Sequence, residues 1–326
     1  MGIRIRSIGS SSSGNSYLIQ GGNTNVLLDL GLSAKKIKTA LSTLGVEKDS
    51  IEAVLITHEH IDHVRSVRQI SKDFDNIRFY ASRGTVENTD KFDYVDDSRL
   101  TYIKAGDTFQ IGEFAVKAFA LSHDAAEPVG YSFECGGERL SVITDTGIVT
   151  AEIFEEMKRA DKLVFESNHE KNILLMGPYP YNVKLRILSD EGHLSNVTAG
   201  EVLAEVLKAK GKKRGEASDV AEASEAREVR EGAEAVEVRD EAETSKAREI
   251  REEAETSSAR EIREGAEAAE TSSACLKVML AHLSDTNNTP YQARITVGDI
   301  LQSAGYEADR DYELIVAMKE GITELI

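Results

Sequence analysis

Cysteine is nearly missing: Cys135 and Cys275 are the only two in 326 residues, 140 positions apart and without CxxC spacing. That excludes a disulfide framework and points to a reducing compartment, where both thiols act as small buried apolar groups. Long apolar runs are absent too. None approaches the roughly 20 residues that a bilayer-spanning helix requires. The opening stretch MGIRIRSIGS has neither an h-region nor a cleavage site, so export is not indicated. The expectation is a cytoplasmic protein with no membrane association. Tryptophan is lacking altogether, and positive charge is scarce, with 39 Lys+Arg against 57 Asp+Glu and a formal net charge of −18.

Scarce positive charge argues against a nucleic-acid binder, so the location of the acidity matters. Residues 215–274 hold 19 acidic and 8 basic side chains, a net of −11, which leaves −7 for the rest of the chain. The stretch KAKGKKR at 208–214 places a basic cluster at the entry to this acidic segment. Within it, a unit of about twelve residues recurs: AVEVRDEAETSK, AREIREEAETSS, AREIREGAEAAETSS. Ala, Glu and Arg favour helix. At 100° per residue, however, each repeat drifts about 120° out of phase, so its few Val and Ile residues form no continuous seam. Residues 211–274 therefore read as a charged helical or disordered insertion, with a protein-binding arm as the alternative. Core sequence resumes with CLKVMLAHLS at 275–284, which makes residues 1–210 plus 275–326 one domain interrupted by the insertion.

What is present is a globular composition, 40% hydrophobic and 29% charged, and ample length for a core around a buried polar site. Strand-type runs dominate the first half: IRIRSIG, NSYLIQGG, NVLLDLG, AVLITH, IRFYAS, FAVKAFALSH, VGYSFECGG, RLSVITDTG and KLVFESNH. Helical patterns are fewer. SAKKIKTALSTLG and TAEIFEEMKRA begin at the capping residues Ser33 and Thr150, DHVRSVRQISKDF lies between them, and HLSNVTAGEVLAEVLKAK reads as a loop followed by a helix. The pattern predicts an α/β protein with two stacked sheets and helices outside.

The segment HEHIDH at 58–63 follows the apolar run AVLIT, at the carboxyl end of a predicted strand, where α/β folds place ligand sites. His58 and His60 can serve one metal, and Asp62 and His63 a second. Burying four such groups without a metal would leave desolvated polar atoms without partners. His123 in FALSHDA, Asp145 in VITDTG and His282 in VMLAHLS stand in the same strand-end context. Imidazole and carboxylate donors suit zinc, manganese or iron.

The HxHxDH motif, the later His, the Asp in TDTG and the final strand-end His occur in an order that resembles the metallo-β-lactamase superfamily. The resemblance implies an αββα sandwich with two divalent metal ions. It puts His58, His60 and His123 on one, Asp62, His63 and His282 on the other, and Asp145 between them. GSSSSGNSYLI at 9–19, LSHDA at 121–125, ESNHE at 166–170, GPYPYNVKLRILSDEGHLSN at 177–196 and LAHLSDTNNTP at 280–290 look like its YycJ (WalJ)-like branch, associated with DNA exonuclease activity. The insertion departs from that pattern, as does Glu170, where the branch is expected to carry Asp.

The resemblance implies a 5′-to-3′ DNA exonuclease that uses a metal-activated hydroxide, with Asp62 holding or deprotonating the water. By similarity to the β-CASP nucleases, His193 faces the phosphate as charge stabiliser or acid, and Glu166 orients a histidine; His169 is read as structural. Ser12 and Asn15 in the serine-rich loop are candidate phosphate contacts, and Tyr179 and Tyr181 candidate base-stacking groups. Two alternatives stand beside this reading, a small-molecule ester or thioester hydrolase on the same centre and a scaffold acting through the insertion.

Overall fold

In this computed structural model the described residues are 2–211 and 275–325, and they fall within one compact unit. The repeat segment, and with it the expected insertion, lies outside them.

Among the described residues fourteen strands form two sheets of seven. The first contains β1 (Arg4–Gly9), β2 (Ser16–Gly21), β3 (Thr24–Leu28), β4 (Ile51–Leu55), β5 (Arg78–Ser82) and β6 (Leu100–Ile103). The second contains β7 (Thr108–Ile111), β8 (Phe114–Ala120), β9 (Val129–Cys135), β10 (Glu138–Ile143), β11 (Lys162–Glu166), β12 (Leu276–Ala281) and β13 (Tyr312–Val316). The last strand, β14 (Thr323–Leu325), pairs antiparallel with β1 at the edge of the first sheet.

The apolar alternation of the central strands explains the layering. Val26, Leu28, Ala53 and Leu55 point between the sheets, where they meet Tyr131, Val164 and Met279 of the opposite sheet. Leu27 and Val54 point the other way, into a cluster with Ile37, Leu41, Val67 and Ile70 of the outer helices. On the second sheet, Leu163, Phe165, Val278 and Leu280 face Leu203, Val206, Val297 and Leu301 of the long helices Asn196–Ala209 and Pro290–Ser303. Strands buried on both faces read as continuous apolar runs, which is why AVLIT and KLVF carry no polar alternation. The result is the expected αββα sandwich. Cys135 lies in the core between the sheets, and Cys275 is half-buried, not fully buried as expected.

Caps match the sequence at Ser33 and Thr150, whose side chains accept from the amides of Lys36 and Ile153, and Ser195 caps the helix Asn196–Ala209 in the same way, accepting from the Thr198 amide. DHVRSVRQISKDF, expected as one helix, is two pieces, Ile61–Val64 and Val67–Asp73. The carbonyls that would continue the first piece are taken elsewhere: that of Asp62 accepts from Asn15 at 2.9 Å, and that of His63 accepts from Leu30 at 2.7 Å. Those two bonds tie the histidine motif to the loops after β1 and β3. Among the described residues no helix is long and apolar enough to cross a membrane.

Candidate metal centre

Most side chains of the centre sit at or just beyond the carboxyl ends of strands, Asp29 after β3, His58 to His63 after β4, His123 after β8, Asp145 after β10, Glu166 at the end of β11 and His282 after β12, while His193 stands on the loop before the helix Asn196–Ala209. Asp29, Asp145 and His282 adopt left-handed backbone, with φ of 59°, 64° and 56°. Such conformations cost on the order of 1–3 kcal/mol each for non-glycine residues and persist where surrounding bonds impose them. At His282 those bonds are visible: its amide donates to Ser10 Oγ at 2.9 Å and its carbonyl accepts from Asn168 Nδ2 at 2.9 Å.

Donor atoms of His58, His60 and His123 converge within 4.8 Å of one another, and so do those of Asp62, His63 and His282. Asp145 lies between the sets, 3.7 Å from His123 Nε2, 3.3 Å from His63 Nε2 and 3.3 Å from His282 Nδ1. His60 Nδ1 and His123 Nε2 are only 3.3 Å apart. At that distance the two nitrogens can share one cation, or one proton between them. Three buried atoms of the proposed ligand set, His58 Nε2, Asp145 Oδ2 and His282 Nε2, have no hydrogen-bond partner. Buried polar groups are almost always paired, so these orphans fit ligands to divalent metal ions, and the mixed imidazole and carboxylate chemistry agrees.

Outer partners fix the rings. His63 Nδ1 contacts Asp29 Oδ2 at 2.8 Å, and Asp29 also accepts from the Thr57 amide at 2.9 Å and the Thr57 hydroxyl at 3.0 and 3.1 Å. Thr57 Oγ1 lies 3.0 Å from His58 Nδ1, which leaves Nε2 of both histidines directed at the centre. His123 Nδ1 lies 3.3 Å from the Gly192 carbonyl. Glu166 Oε1 meets His193 Nδ1 at 2.8 Å and His282 Nδ1 at 2.9 Å, while Oε2 accepts from the Thr146 and Leu194 amides at 3.0 and 3.3 Å.

Electrostatics follow from burial and from this packing. Burial, together with the neighbouring His63, His123 and His60, holds the His58 imidazole well below its usual range, which keeps it neutral as a ligand must be. Burial also opposes charge on His63, but Asp145, Asp29 and Asp62 outweigh it and raise its pKa. The same contest raises His282 to about 10, through Asp145, Asp62 and Glu166. Asp62 and Glu166 are depressed: burial works against their charge, and the histidines they contact overcome it. Four carboxylates, Asp29, Asp62, Asp145 and Glu166, thus face the imidazoles of the centre.

Above it opens a cleft of about 250 Å³ lined by His60, Asp62, His123, Asp145, His193 and His282. Of the candidate substrate contacts, Ser12 and Tyr179 line it. Asn15 does not. It is fully buried beneath its loop, accepts from Ser10 Oγ at 2.9 Å, and sets Nδ2 3.3 Å from His63 Nε2. Tyr181 is outside the lining and 75% exposed. His169 is buried with both ring nitrogens unpartnered, and burial lowers its pKa to about 4. Sequence reasoning missed Asp29 and Arg186, the latter also lining the cleft. The signal for Asp29 was a lone carboxylate at the end of an apolar run, NVLLDLG; for Arg186 there was none.

A two-sheet sandwich with metal-type ligands at one strand edge defines a class, and residues 24–213 match the model of the beta-lactamase superfamily domain. The chain belongs to that superfamily, and within it to the YycJ-like branch. Exodeoxyribonuclease WalJ of Streptococcus pneumoniae is 34% identical over 216 residues, 65% of this chain and 80% of that protein. Exodeoxyribonuclease YycJ of Bacillus anthracis is 34% identical over 209 residues, 64% of this chain and 78% of that protein. Among solved structures, the metallo-beta-lactamase fold protein YhfI from Bacillus subtilis shares the fold, with a TM-score of 0.60 at 13% identity over 99% of this chain and 100% of that one.

Proposed function

We propose that this protein is a metal-dependent phosphodiester hydrolase, a DNA exonuclease acting from the 5′ end. The observation that carries the reading is the relation to two proteins named exodeoxyribonuclease, over about four-fifths of their length, in a chain with converging donor sets. His58, His60 and His123 would hold one divalent ion and Asp62, His63 and His282 the other, with Asp145 between; zinc and manganese suit these donors best, and iron also fits. When bound, such a pair supplies an activated hydroxide and stabilises charge on the attacking and leaving oxygens of a phosphodiester.

The chain's own groups divide the remaining work. Asp62, partly open to the cleft at 17% side-chain exposure, holds or deprotonates the attacking water. Glu166 fixes the His193 ring through Nδ1, which leaves Nε2 to face the cleft and hand a proton to the departing oxygen. Ser12 and Tyr179 contact the strand beside it. The catalytic domain in this reading is residues 1–210 plus 275–326, and the 211–274 insertion takes no part in the hydrolysis.

The test is digestion of DNA labelled at the 5′ or the 3′ end by metal-reconstituted protein, with Asp62→Ala alongside. Early release of labelled mononucleotide from the 5′ end, absent in the variant, is the expected result. No cleavage at full metal occupancy, with turnover of a thioester instead, would overturn the nuclease reading.

A further inference from the structure

Arg186 is the one lysine or arginine lining the cleft among the described residues, in a lining that also holds Asp62 and Asp145. It stands on the short helix Tyr181–Ile187. Its guanidinium grips Asp124 in a two-point fork: Nη2 donates to Oδ1 at 2.9 Å, and Nε donates to Oδ2. Asp124 directly follows His123, so the pair links the arginine to the loop that carries a proposed metal ligand. Further bonds join the same two segments. Ser122 Oγ donates to the Asp190 carbonyl at 2.8 Å, and the Asp124 amide donates to the Glu191 carbonyl at 3.1 Å. The His193 amide donates to the Ile187 carbonyl at 2.9 Å, so His193 and Arg186 are held by one continuous turn.

A guanidinium has five N–H donors, and Asp124 engages two of them. The remaining three lie on a planar group whose orientation is already fixed, the geometry that matches phosphate oxygens. We propose that Arg186 binds a phosphate of the substrate strand at the cleft, and that Asp124 is a positioning residue that sets the guanidinium for it. The contact selects phosphate-bearing substrates over neutral esters on the same centre. This rests on the nuclease reading above.

The test measures binding of the full-length, metal-loaded protein to a fluorescent phosphorothioate single strand, which resists cleavage, across a salt series. Each lost phosphate contact lowers the slope of log Kd against log salt concentration by about 0.7 for single strands. Arg186→Ala should weaken binding about tenfold or more and lose that increment of slope, whereas Arg186→Lys should keep the slope with weaker binding. Adding Asp124→Asn to Arg186→Ala should weaken binding no further, because Asp124 acts through the arginine. An unchanged slope in Arg186→Ala, with normal metal content and a wild type that cuts DNA, would overturn the phosphate contact. A full additive loss in the double variant would overturn the positioning role of Asp124. A wild type that neither binds nor cuts the strand would overturn the nuclease reading, and the Arg186 contact with it.

Discussion

Asp29 shows how much of the centre depends on a residue that holds no metal. It is fully buried, and burial raises its pKa while His63 and Thr57 pull it back. Its bond to His63 fixes which ring nitrogen is available. Removing a group of this kind commonly costs 10- to 100-fold in metal affinity. Asp29→Ala should therefore bind zinc about 10- to 100-fold more weakly in competition with a chromogenic chelator; equal affinity would show that His63 needs no orienting partner. His193→Ala should lower kcat by about 10²–10⁴-fold with metal content retained, the usual range for a lost general acid, and steady-state rates beside elemental analysis check this. At this scale the sequence was informative where residue type and local spacing combine, as in HEHIDH. It was silent where a role arises from a meeting across the chain. Asp29 contacts His63 at a separation of 34 residues and Arg186 contacts Asp124 at 62, and neither residue type is unusual in its own segment.

Elements deliver these residues through strand ends and tight loop contacts. Gly31 is the sharpest case, since a Cβ there would sit 1.4 Å from the Asp62 carbonyl oxygen. Gly31→Ala must push the histidine motif off the loop after β3, so thermal unfolding should show a loss of several degrees and the protein should retain less metal; a wild-type melting curve would mean that the loop yields freely. A second element-level device lies far from the centre. Glu156, on the helix Ala151–Arg159, is 1% exposed and bonded to Lys117 at 2.8 Å, to Ser132 at 2.8 Å and to Arg139. Burial pushes its carboxyl up, but these three partners outweigh burial and bring the pKa from 4.5 down to about 2. A depressed carboxylate contributes stability above its unfolded pKa and loses it as pH falls toward the folded one. Acid unfolding should show the wild type losing, between about pH 4.5 and 2, an advantage that Glu156→Gln does not have; parallel curves would contradict this. The central strands were legible because burial on both faces makes them apolar throughout. β6, β7, β13 and β14 were not, for LTYI, TFQI, YELIV and TEL are short and partly exposed. The break after Val64 was hidden too, because it follows from carbonyls captured by distant loops.

For the whole molecule, the sandwich brings candidate ligands from both sheets to one edge, and family order in the sequence was enough to anticipate that architecture. In the proposed domain scheme hydrolysis does not depend on the insertion. Deletion of residues 215–274 should leave DNA hydrolysis within a few-fold of the full chain, checked by the end-label assay, and a loss of hydrolysis would make the repeats part of the catalytic unit. The centre itself is tested most directly by counting metal. Elemental analysis of the full-length protein, equilibrated with zinc and desalted, should give two ions per chain, and His58→Ala and His282→Ala should each give close to one. One ion in the wild type, or two ions retained in both variants, would contradict a centre built from two ligand sets that share Asp145.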